Sequence, residues 1–321
     1  MKNIMIETRD GTKLYIEYCF NGCKNTIIIL HGGPGQGCWQ FTYLAEMLSK
    51  KFNVISFDQR GVLRSDEITY PFHSEMLIDD IEDIRMYFHI DKLIVLGHSY
   101  GGQLALRYAV SYPDYANCII YICPSFNFLY SLQNVYSLSF DILQTDNNLL
   151  LNKIKNCIDM NDAISLLEHL TDIPESIRNK VYGDYTITQE VKKSINNHSI
   201  KESDRRKGIN HQQCVFNDQD IYFDYLPVLK DVSCESLLIV GETDPVCNDI
   251  QIHDFLESNK NNKAKTVNHS GHSPHIENPT DTVSIIENFI FCQHSNIAYC
   301  DLACCVCSEN DKCVSCQKWR L

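Results

Sequence analysis

The chain has 321 residues, 44% of them hydrophobic, and a formal net charge of −13 at pH 7. This length and apolar fraction are sufficient for one large domain with an insertion, and the acidic charge excludes nucleic acid as an expected partner because phosphate backbones are repelled. The amino terminus, MKNIMIETRDG, lacks the apolar stretch of a signal peptide, and no apolar run is long enough to span a bilayer. We therefore predict a cytoplasmic protein with no membrane partner.

Short apolar runs alternate with segments of helical periodicity through the first 124 residues. A hairpin is predicted from Met5 to Phe20, with its turn at Asp10-Gly11. The strands predicted after it are Thr26 to Leu30, Asn53 to Phe57, Lys92 to Leu96 and Ile119 to Ile122. The helices predicted between them are Trp39 to Lys50, a helix capped by Ser74, and Gln103 to Val110. This alternation is typical of βαβ units and predicts an α/β fold with a mostly parallel sheet flanked by helices.

The helix that follows Ser74 has an amphipathic pattern. Its apolar residues recur at helical spacing: Leu77, Ile81, Ile84 and Phe88. Its acidic residues fall on the other faces of the helix: Asp79, Asp80, Glu82 and Asp83.

The alternation of strands and helices stops near Pro124 and resumes at the strand Ser236 to Val240. Residues 125–230, which we call the insert, are mainly helix-like and polar, so a helical cap is predicted there. The later predicted elements are the helix Ile250 to Leu256, the strand Ala264 to Val267 and a last helix from about Thr280 to Ile290. The sequence thus predicts an α/β core from residues 1–124 and 231–291, a helical cap from residues 125–230, and a Cys-rich tail from residues 292–321.

A candidate nucleophile follows the strand that ends at Leu96. Gly97-His98-Ser99-Tyr100-Gly101 is a G-x-S-x-G motif between a predicted strand and a predicted helix, which is the context that this motif requires. The small residues let the strand and the helix pass closely in a sharp turn. The hydroxyl of Ser99 then projects above the carboxyl edge of the sheet, in front of a helix amino terminus.

A serine nucleophile needs a base, and the base needs an orienting acid. Asp244 lies just past the end of the strand Ser236 to Val240 and is the predicted acid, with Glu242 and Asp249 as alternatives. The loop after the last predicted strand contains three histidines. His272, which follows a glycine, is the predicted base, whereas His269 and His275 are interpreted as turn, surface or supporting residues.

The glycine-rich segment HGGPGQG, residues 31 to 37, follows the strand Thr26 to Leu30 directly. A serine hydrolase needs backbone N–H groups aimed at the oxyanion that develops during the reaction. One such donor is the N–H of Tyr100, the residue after the nucleophile, and the other comes from a loop after an earlier strand. Gly33 is the predicted second donor because no side chain there blocks the substrate.

These motifs together resemble an α/β hydrolase of the proline iminopeptidase group. They are HGGPG at 31–35, DQRG at 58–61, GHSYGG at 97–102, GETD at 241–244 and GHSP at 271–274. The resemblance covers residues 5 to 291, and the HGGPG and DQRG pair is its most specific part. It implies an α/β-hydrolase fold with a helical cap between the sixth strand and the acid. It also implies removal of an N-terminal residue, often proline, from peptides, or hydrolysis of related small amides and esters.

The chain departs from that group in the parts that bind the substrate. Members of the group usually have a tryptophan after the nucleophile and a Trp-x-x-Trp-Glu stretch in the cap. This chain has Tyr100, and its only tryptophans are Trp39 and Trp319. The family's cap residues form the proline pocket and hold the α-amine of the substrate; the acids Glu168 and Asp224 are the candidates for the amine contact here.

The segment after Phe291 is rich in cysteine and contains two C-x-x-C pairs. The pairs are Cys304 with Cys307 and Cys313 with Cys316. Such pairs can form a structural zinc site, although the spacer between them is shorter than in a zinc ribbon. A tail without metal, or one with local disulfides, is the alternative interpretation.

The sequence therefore predicts a serine hydrolase that acts through an acyl-enzyme on small amides, with a small molecule or short peptide as substrate. No cofactor is expected for catalysis, and the oligomeric state is left open. One alternative is an ester or lactone hydrolase with the same triad. The other is a non-catalytic α/β-hydrolase-fold module that binds a ligand or senses metal.

Overall fold

A single mixed sheet contains all the strands predicted from the sequence. The computed structural model describes residues 1–68, 70–143, 148–183, 185–196 and 200–292, and eight strands of these residues form the sheet. The strands are β1 (Lys2–Glu7), β2 (Lys13–Cys19), β3 (Thr26–Leu30), β4 (Asn53–Phe57), β5 (Leu93–His98), β6 (Ala116–Ile122), β7 (Ser236–Gly241) and β8 (Lys263–Val267). Their order across the sheet is β1-β2-β4-β3-β5-β6-β7-β8. The pairs β1/β2 and β2/β4 are antiparallel and the others are parallel, so the predicted mostly parallel sheet is confirmed.

The central strands are mainly apolar and are buried along their whole length, as expected for a parallel sheet covered on both faces. Every residue of β3 and of β5 is buried. The parallel strands all end at the same edge of the sheet, so the segments that follow β3, β5, β7 and β8 emerge beside one another. These are the segments that hold the glycine-rich loop and the three predicted catalytic residues.

The helices are, in chain order, α1 (Thr42–Leu48), α2 (Glu75–Tyr87), α3 (Tyr100–Ser111), α4 (Phe128–Ile142), α5 (Asn148–Ile158), α6 (Ala163–His169), α7 (Glu175–Tyr182), α8 (Gln189–Asn196), α9 (Glu202–Asn217), α10 (Asp249–Ser258), α11 (Pro274–Glu277) and α12 (Pro279–Cys292). The predicted helix at Trp39 to Lys50 is two elements, a 3₁₀ turn at Cys38–Phe41 followed by α1. Helix α3 starts three residues before the prediction, because both glycines of the turn adopt helical geometry.

The insert contains α4 to α9, and its described residues include no strand. Asn127 begins α4 with a side-chain oxygen that accepts the N–H of Tyr130. The insert has an apolar cluster of its own, centred on Val135, Tyr136 and Leu166. The insert and the sheet nevertheless belong to one compact unit, which comprises Met1–Val283. A second unit comprises Ser284–Leu321.

Two acids of α2 are buried, contrary to the amphipathic pattern read from the sequence. Asp80 is fully buried, where its two oxygens receive 2.6 and 2.8 Å hydrogen bonds from the guanidinium of Arg60. Burial raises the pKa of the Asp80 carboxyl to about 6, although Arg60 opposes the shift. Glu82 is also buried, with Arg85 and the hydroxyl of Tyr108 as its partners. The periodicity of α2 could not show these partners, because Arg60 and Tyr108 belong to other elements.

Ser74 precedes α2 as predicted, but its side chain does not cap the helix. Its hydroxyl donates to Asp220 at 2.5 Å and accepts from Arg107 at 2.8 Å, so it joins α2 to the end of the insert instead. Among the described residues, no helix is long and apolar enough to cross a membrane. The four tail cysteines of the predicted zinc site lie outside the described residues.

Replacing Arg60 by methionine should lower the free energy of unfolding by about 3 kcal/mol at pH 8, because Asp80 is left buried without its counter-charge. The loss should be smaller at pH 5. Burial has already raised the pKa of Asp80, and the loss of Arg60 should raise it further. At pH 5 the carboxyl of the variant is therefore protonated, and no unpaired charge has to be buried on folding. Urea unfolding at both pH values measures the difference.

Arg9→Met is the matched control, because the ion pair of Arg9 with Asp83 involves a guanidinium that is half exposed. It should cost less than about 1 kcal/mol. Equal losses for the two variants, or a loss for Arg60→Met that does not change with pH, would contradict the role given to Asp80.

Candidate active site

Ser99 lies in the sharp turn between β5 and α3, with backbone angles of φ 53° and ψ −121°. This region is unfavourable for a residue with a side chain, so the turn holds Ser99 in a strained conformation. The close passage of strand and helix explains the flanking glycines: a Cβ on Gly97 would overlap the carbonyl of Gly101, and a Cβ on Gly101 would overlap the carbonyl of Leu30. The hydroxyl-bearing residue is thereby presented at the carboxyl edge of the sheet, where it lines a cavity.

Asp244 and His272 are joined by a hydrogen bond of 2.8 Å between an Asp244 carboxylate oxygen and His272 Nδ1. The Asp244 carboxylate is buried and also accepts the N–H groups of Val246 and Cys247, at 3.1 and 3.0 Å. These donors orient the carboxylate, and the carboxylate fixes the His272 tautomer with the proton on Nδ1. His272 Nε2 is then unprotonated and able to accept a proton.

The alternative acids and bases are engaged elsewhere. Glu242 accepts the backbone N–H of His269 at 2.8 Å, and Asp249 is exposed in the first turn of α10. His269 is exposed, whereas His275 is fully buried with its ring stacked on Phe41 at 4.2 Å. The structure brings Asp244 and His272 together. Ser99, Asp244 and His272 follow β5, β7 and β8, at the edge of the sheet where these parallel strands end.

His272 lies in the loop of residues 268–273, which we call the base loop. Hydrogen bonds from three consecutive backbone N–H groups hold this loop in place. Glu277 Oε2 accepts the N–H of Gly271 at 2.7 Å and that of Ser273 at 3.3 Å. The N–H of His272 itself donates to the carbonyl of Tyr182 in the insert at 2.9 Å. Sequence reasoning missed Glu277; an acid five residues after the predicted base was the available signal.

His98 fixes the same loop from the opposite side. Its Nε2 donates to the carbonyl of His272 at 2.8 Å, since a carbonyl can only accept. Burial, together with the nearby His272, lowers the pKa of His98 to about 3, so this ring is neutral at physiological pH. Burial likewise lowers the pKa of His275 well below its usual value. Both rings therefore serve as uncharged packing around the base.

The glycine-rich loop, residues 31–37, begins directly beside Ser99. Gly33 has a positive φ of 124° and lines the cavity together with Ser99 and Tyr100. Tyr100 is the first residue of α3, so its N–H has no acceptor within the helix. The neighbouring DQRG segment supports this loop, because the Gln59 N–H donates to His31 Nε2 and the Gln59 amide donates to the His31 carbonyl.

The cavity over Ser99 has a volume of about 510 Å³ and is lined from both the sheet edge and the insert. Apolar side chains of the insert, such as Phe128, Leu132 and Val135, form much of its wall. Among the described lining residues Glu277 is the only aspartate or glutamate, and there is no lysine or arginine. Glu168 and Asp224, the predicted amine contacts, are both exposed and are not among the lining residues.

Groups that could hold a metal ion occur at two places in the described residues, and both are already committed to other contacts. Cys123, Asp244 and His272 lie within 4.8 Å of one another, but Asp244 and His272 use the facing atoms for their hydrogen bond. In the other group, Asp218 and Asp220 accept from Ser74, and Arg107 pairs with both Glu75 and Asp220. The carboxylates of both groups are therefore already used in contacts within the protein.

Comparisons with known proteins support the fold and the family. A family model described as the α/β hydrolase fold matches residues 25–279. A proline iminopeptidase of Heyndrickxia coagulans is 24% identical over 307 residues, which are 89% of this chain and 97% of that protein. A proline iminopeptidase of Pestalotiopsis fici is 26% identical over 84% of this chain and 92% of its own length. The fold resembles that of a proline iminopeptidase-related protein of Thermus thermophilus, with a TM-score of 0.69 at 17% identity over 91% of this chain and 98% of the other.

Asp244→Asn should slow the reaction of Ser99 with a fluorophosphonate probe by about 10³- to 10⁴-fold, because an amide no longer fixes the productive His272 tautomer. The rate of probe attachment, followed by intact-protein mass spectrometry, measures this effect. Glu242→Gln and Asp249→Asn are the matched controls and should react like the unmodified protein. A large loss in either control, with none in Asp244→Asn, would move the acid to the other residue.

Proposed function

The chain belongs to the α/β hydrolase fold family, and we propose that it is a serine hydrolase that cleaves small amides through an acyl-enzyme. The observation that carries this proposal is the hydrogen bond between Asp244 and His272 beside a cavity that also contains the strained Ser99. A hydroxyl nucleophile, an oriented imidazole and a buried acid are the three groups that acyl transfer requires.

In the proposed reaction, Ser99 Oγ attacks the substrate carbonyl carbon while His272 Nε2 takes the hydroxyl proton. The carbonyl oxygen becomes an oxyanion that accepts from the N–H groups of Gly33 and Tyr100. The His272 imidazolium then gives its proton to the leaving amine, the carbon–nitrogen bond breaks, and an ester of Ser99 remains. Water attacks this ester with His272 as base, and the carboxylic acid product leaves as Ser99 regains its proton.

The charge of the cavity favours a substrate with a free amino group. Glu277 Oε2 is held by backbone N–H groups, whereas Oε1 receives no hydrogen bond from a described residue. A substrate ammonium would find a carboxylate there, but a substrate carboxylate would find no cation among the described lining residues. We therefore propose removal of an N-terminal residue, with Glu277 in the role for which Glu168 and Asp224 were the candidates.

The apolar wall of the insert suits an uncharged side chain on that N-terminal residue, and proline is the first to test because relatives of this chain are proline iminopeptidases. The tryptophans that form the proline pocket in that group are missing from the corresponding positions. Ester or lactone hydrolysis by the same triad is consequently the second candidate.

A panel of p-nitroanilides should separate these functions. Prolyl, alanyl and leucyl anilides with free amines should be hydrolysed, and blocking the amine should abolish turnover, because the blocked group cannot pair with Glu277. Ser99→Ala should be inactive on every substrate. Turnover of short-chain p-nitrophenyl esters without any anilide cleavage would favour the ester hydrolase, and a folded protein that neither turns over nor binds a fluorophosphonate would favour a non-catalytic module.

Glu277→Gln should raise KM for the free-amine anilide by about 10-fold, because the hydrogen bond to the ammonium loses its charge. The glutamine carbonyl can still accept the N–H groups of Gly271 and Ser273, so KM for an acetyl ester should be unchanged. Glu168→Gln and Asp224→Asn serve as controls and should leave both constants as they are. An anilide KM that responds to either control instead would return the amine contact to the cap.

A further inference from the structure

The glycine-rich loop rests on the insert through a contact between two glycines. Gly208 lies inside α9, where glycine is less favourable than alanine. A Cβ at this position would overlap the carbonyl of Gly35, and a Cβ on Gly35 would overlap the carbonyl of Gly208. The flanking residues hold α9 against the neighbouring segment, since Lys207 donates to the Ser65 carbonyl at 3.0 Å and His211 Nδ1 to the Arg60 carbonyl at 2.8 Å.

The base loop rests on the insert through a second contact of the same kind. Gly183 follows α7 with a φ of 116°, and a Cβ there would lie 3.1 Å from the Cα of Gly271 and 2.6 Å from Glu277 Oε1. In the other direction, a Cβ on Gly271 would lie 2.5 Å from the Tyr182 carbonyl. That carbonyl accepts the N–H of His272, so the absence of side chains at both glycines is what permits the hydrogen bond.

The same stretch of the insert also contacts the residue before the proposed acid and the ring of the proposed base. The hydroxyl of Tyr185 and that of Thr243, the residue before Asp244, are 3.0 Å apart. The ring of Tyr182 meets the His272 ring edge to face, with centroids 5.5 Å apart and planes at 78°. Residues 182 and 185 thus contact the segments that follow both β7 and β8.

We propose that Gly183 and Gly208 are positioning residues, which seat the base loop and the glycine-rich loop on the insert. The insert is then part of the support for the catalytic groups, in addition to being the roof of the cavity. Displacement of the insert would release the His272 backbone and the Gly33 donor together. This inference rests on the proposed serine hydrolase function for its effect on rate, but the seating itself is a property of the fold.

The test compares Gly183→Ala and Gly208→Ala with the unmodified full chain. On a small acetyl ester, which makes little use of the cavity, each variant should lose about 10²-fold in kcat because reacting groups are misplaced by a fraction of an ångström to an ångström. KM should change little. Hydrogen exchange should quicken at the amides of residues 271–273 in Gly183→Ala and at those of residues 32–37 in Gly208→Ala.

Matched controls separate these effects from the ordinary consequences of placing alanine at a positive φ or in α9. Gly22→Ala also places alanine at a positive φ, but a Cβ there meets nothing within 4 Å. Gln213→Ala adds alanine at an exposed position of α9. Both controls should keep the kcat and the local exchange of the unmodified protein. Circular dichroism checks folding. If Gly183→Ala does not fold, Tyr185→Phe, which removes one hydroxyl, tests the contact with Thr243, the residue before Asp244.

The outcomes are decisive in each direction. A stabilised Gly208→Ala with unchanged kcat would overturn the proposal, because alanine would then simply be the better helix residue. A fall in kcat without faster local exchange, or faster exchange without a fall in kcat, would also overturn it. If the unmodified chain shows no hydrolase activity, the proposed function fails, yet the exchange measurements still decide whether the two glycines hold the loops.

Discussion

The sharp turn at Ser99 is the constraint from which the rest of the site follows. Its positive φ requires β5 and α3 to pass so closely that neither flanking glycine can bear a side chain. The effect extends to β3, the neighbouring strand in the sheet: a Cβ on Gly32 would lie 2.9 Å from the Cβ of Ser99 and from His98 Nδ1. Gly32 of the HGGPG segment is therefore required by the turn at Ser99, whereas Gly33 is the proposed oxyanion donor and Gly35 contacts Gly208.

Four of the seven residues of the glycine-rich loop are glycine, so it has few side chains of its own to pack and is held in place by buried polar groups. Gln59 donates two hydrogen bonds to His31 at the start of the loop, one from its backbone N–H and one from its side-chain amide. Burial lowers the pKa of His31, which favours the neutral ring that accepts the first of these bonds. Asp58 accepts the N–H of Cys38 just beyond the loop while Arg64 pairs with its carboxylate at 2.7 Å. The HGGPG and DQRG segments therefore form one structural unit, which gives a physical reason for their occurring as a pair.

The sequence was sufficient for the features set by local pattern. The boundaries of β3 and β4 follow from their β-branched runs, and the placement of Ser99, Asp244 and His272 follows from motifs at strand ends. The sequence was insufficient where the environment of a residue depends on a contact with a residue that is distant along the chain. Asp80 is buried because Arg60 reaches it from another segment, and Glu277 faces the cavity because α11 folds back on the base loop. Glu168 and Asp224 are acids of the cap, but their local sequence does not indicate whether their side chains face the cavity or the solvent.

The position of Glu277 has a further consequence for how substrate preference could vary in such a site. One oxygen of this carboxylate bridges the N–H groups on either side of His272, and the other borders both the cavity and Gly183. Burial raises the pKa of Glu277, and the two backbone donors oppose this rise. An acid in the cap could be moved or lost without affecting the base. An acid in this place cannot, since losing it or changing its length also removes the acceptor for two N–H groups of the loop that carries His272. The charge proposed to select the substrate and the backbone position of the proposed base are thus tied to a single side chain.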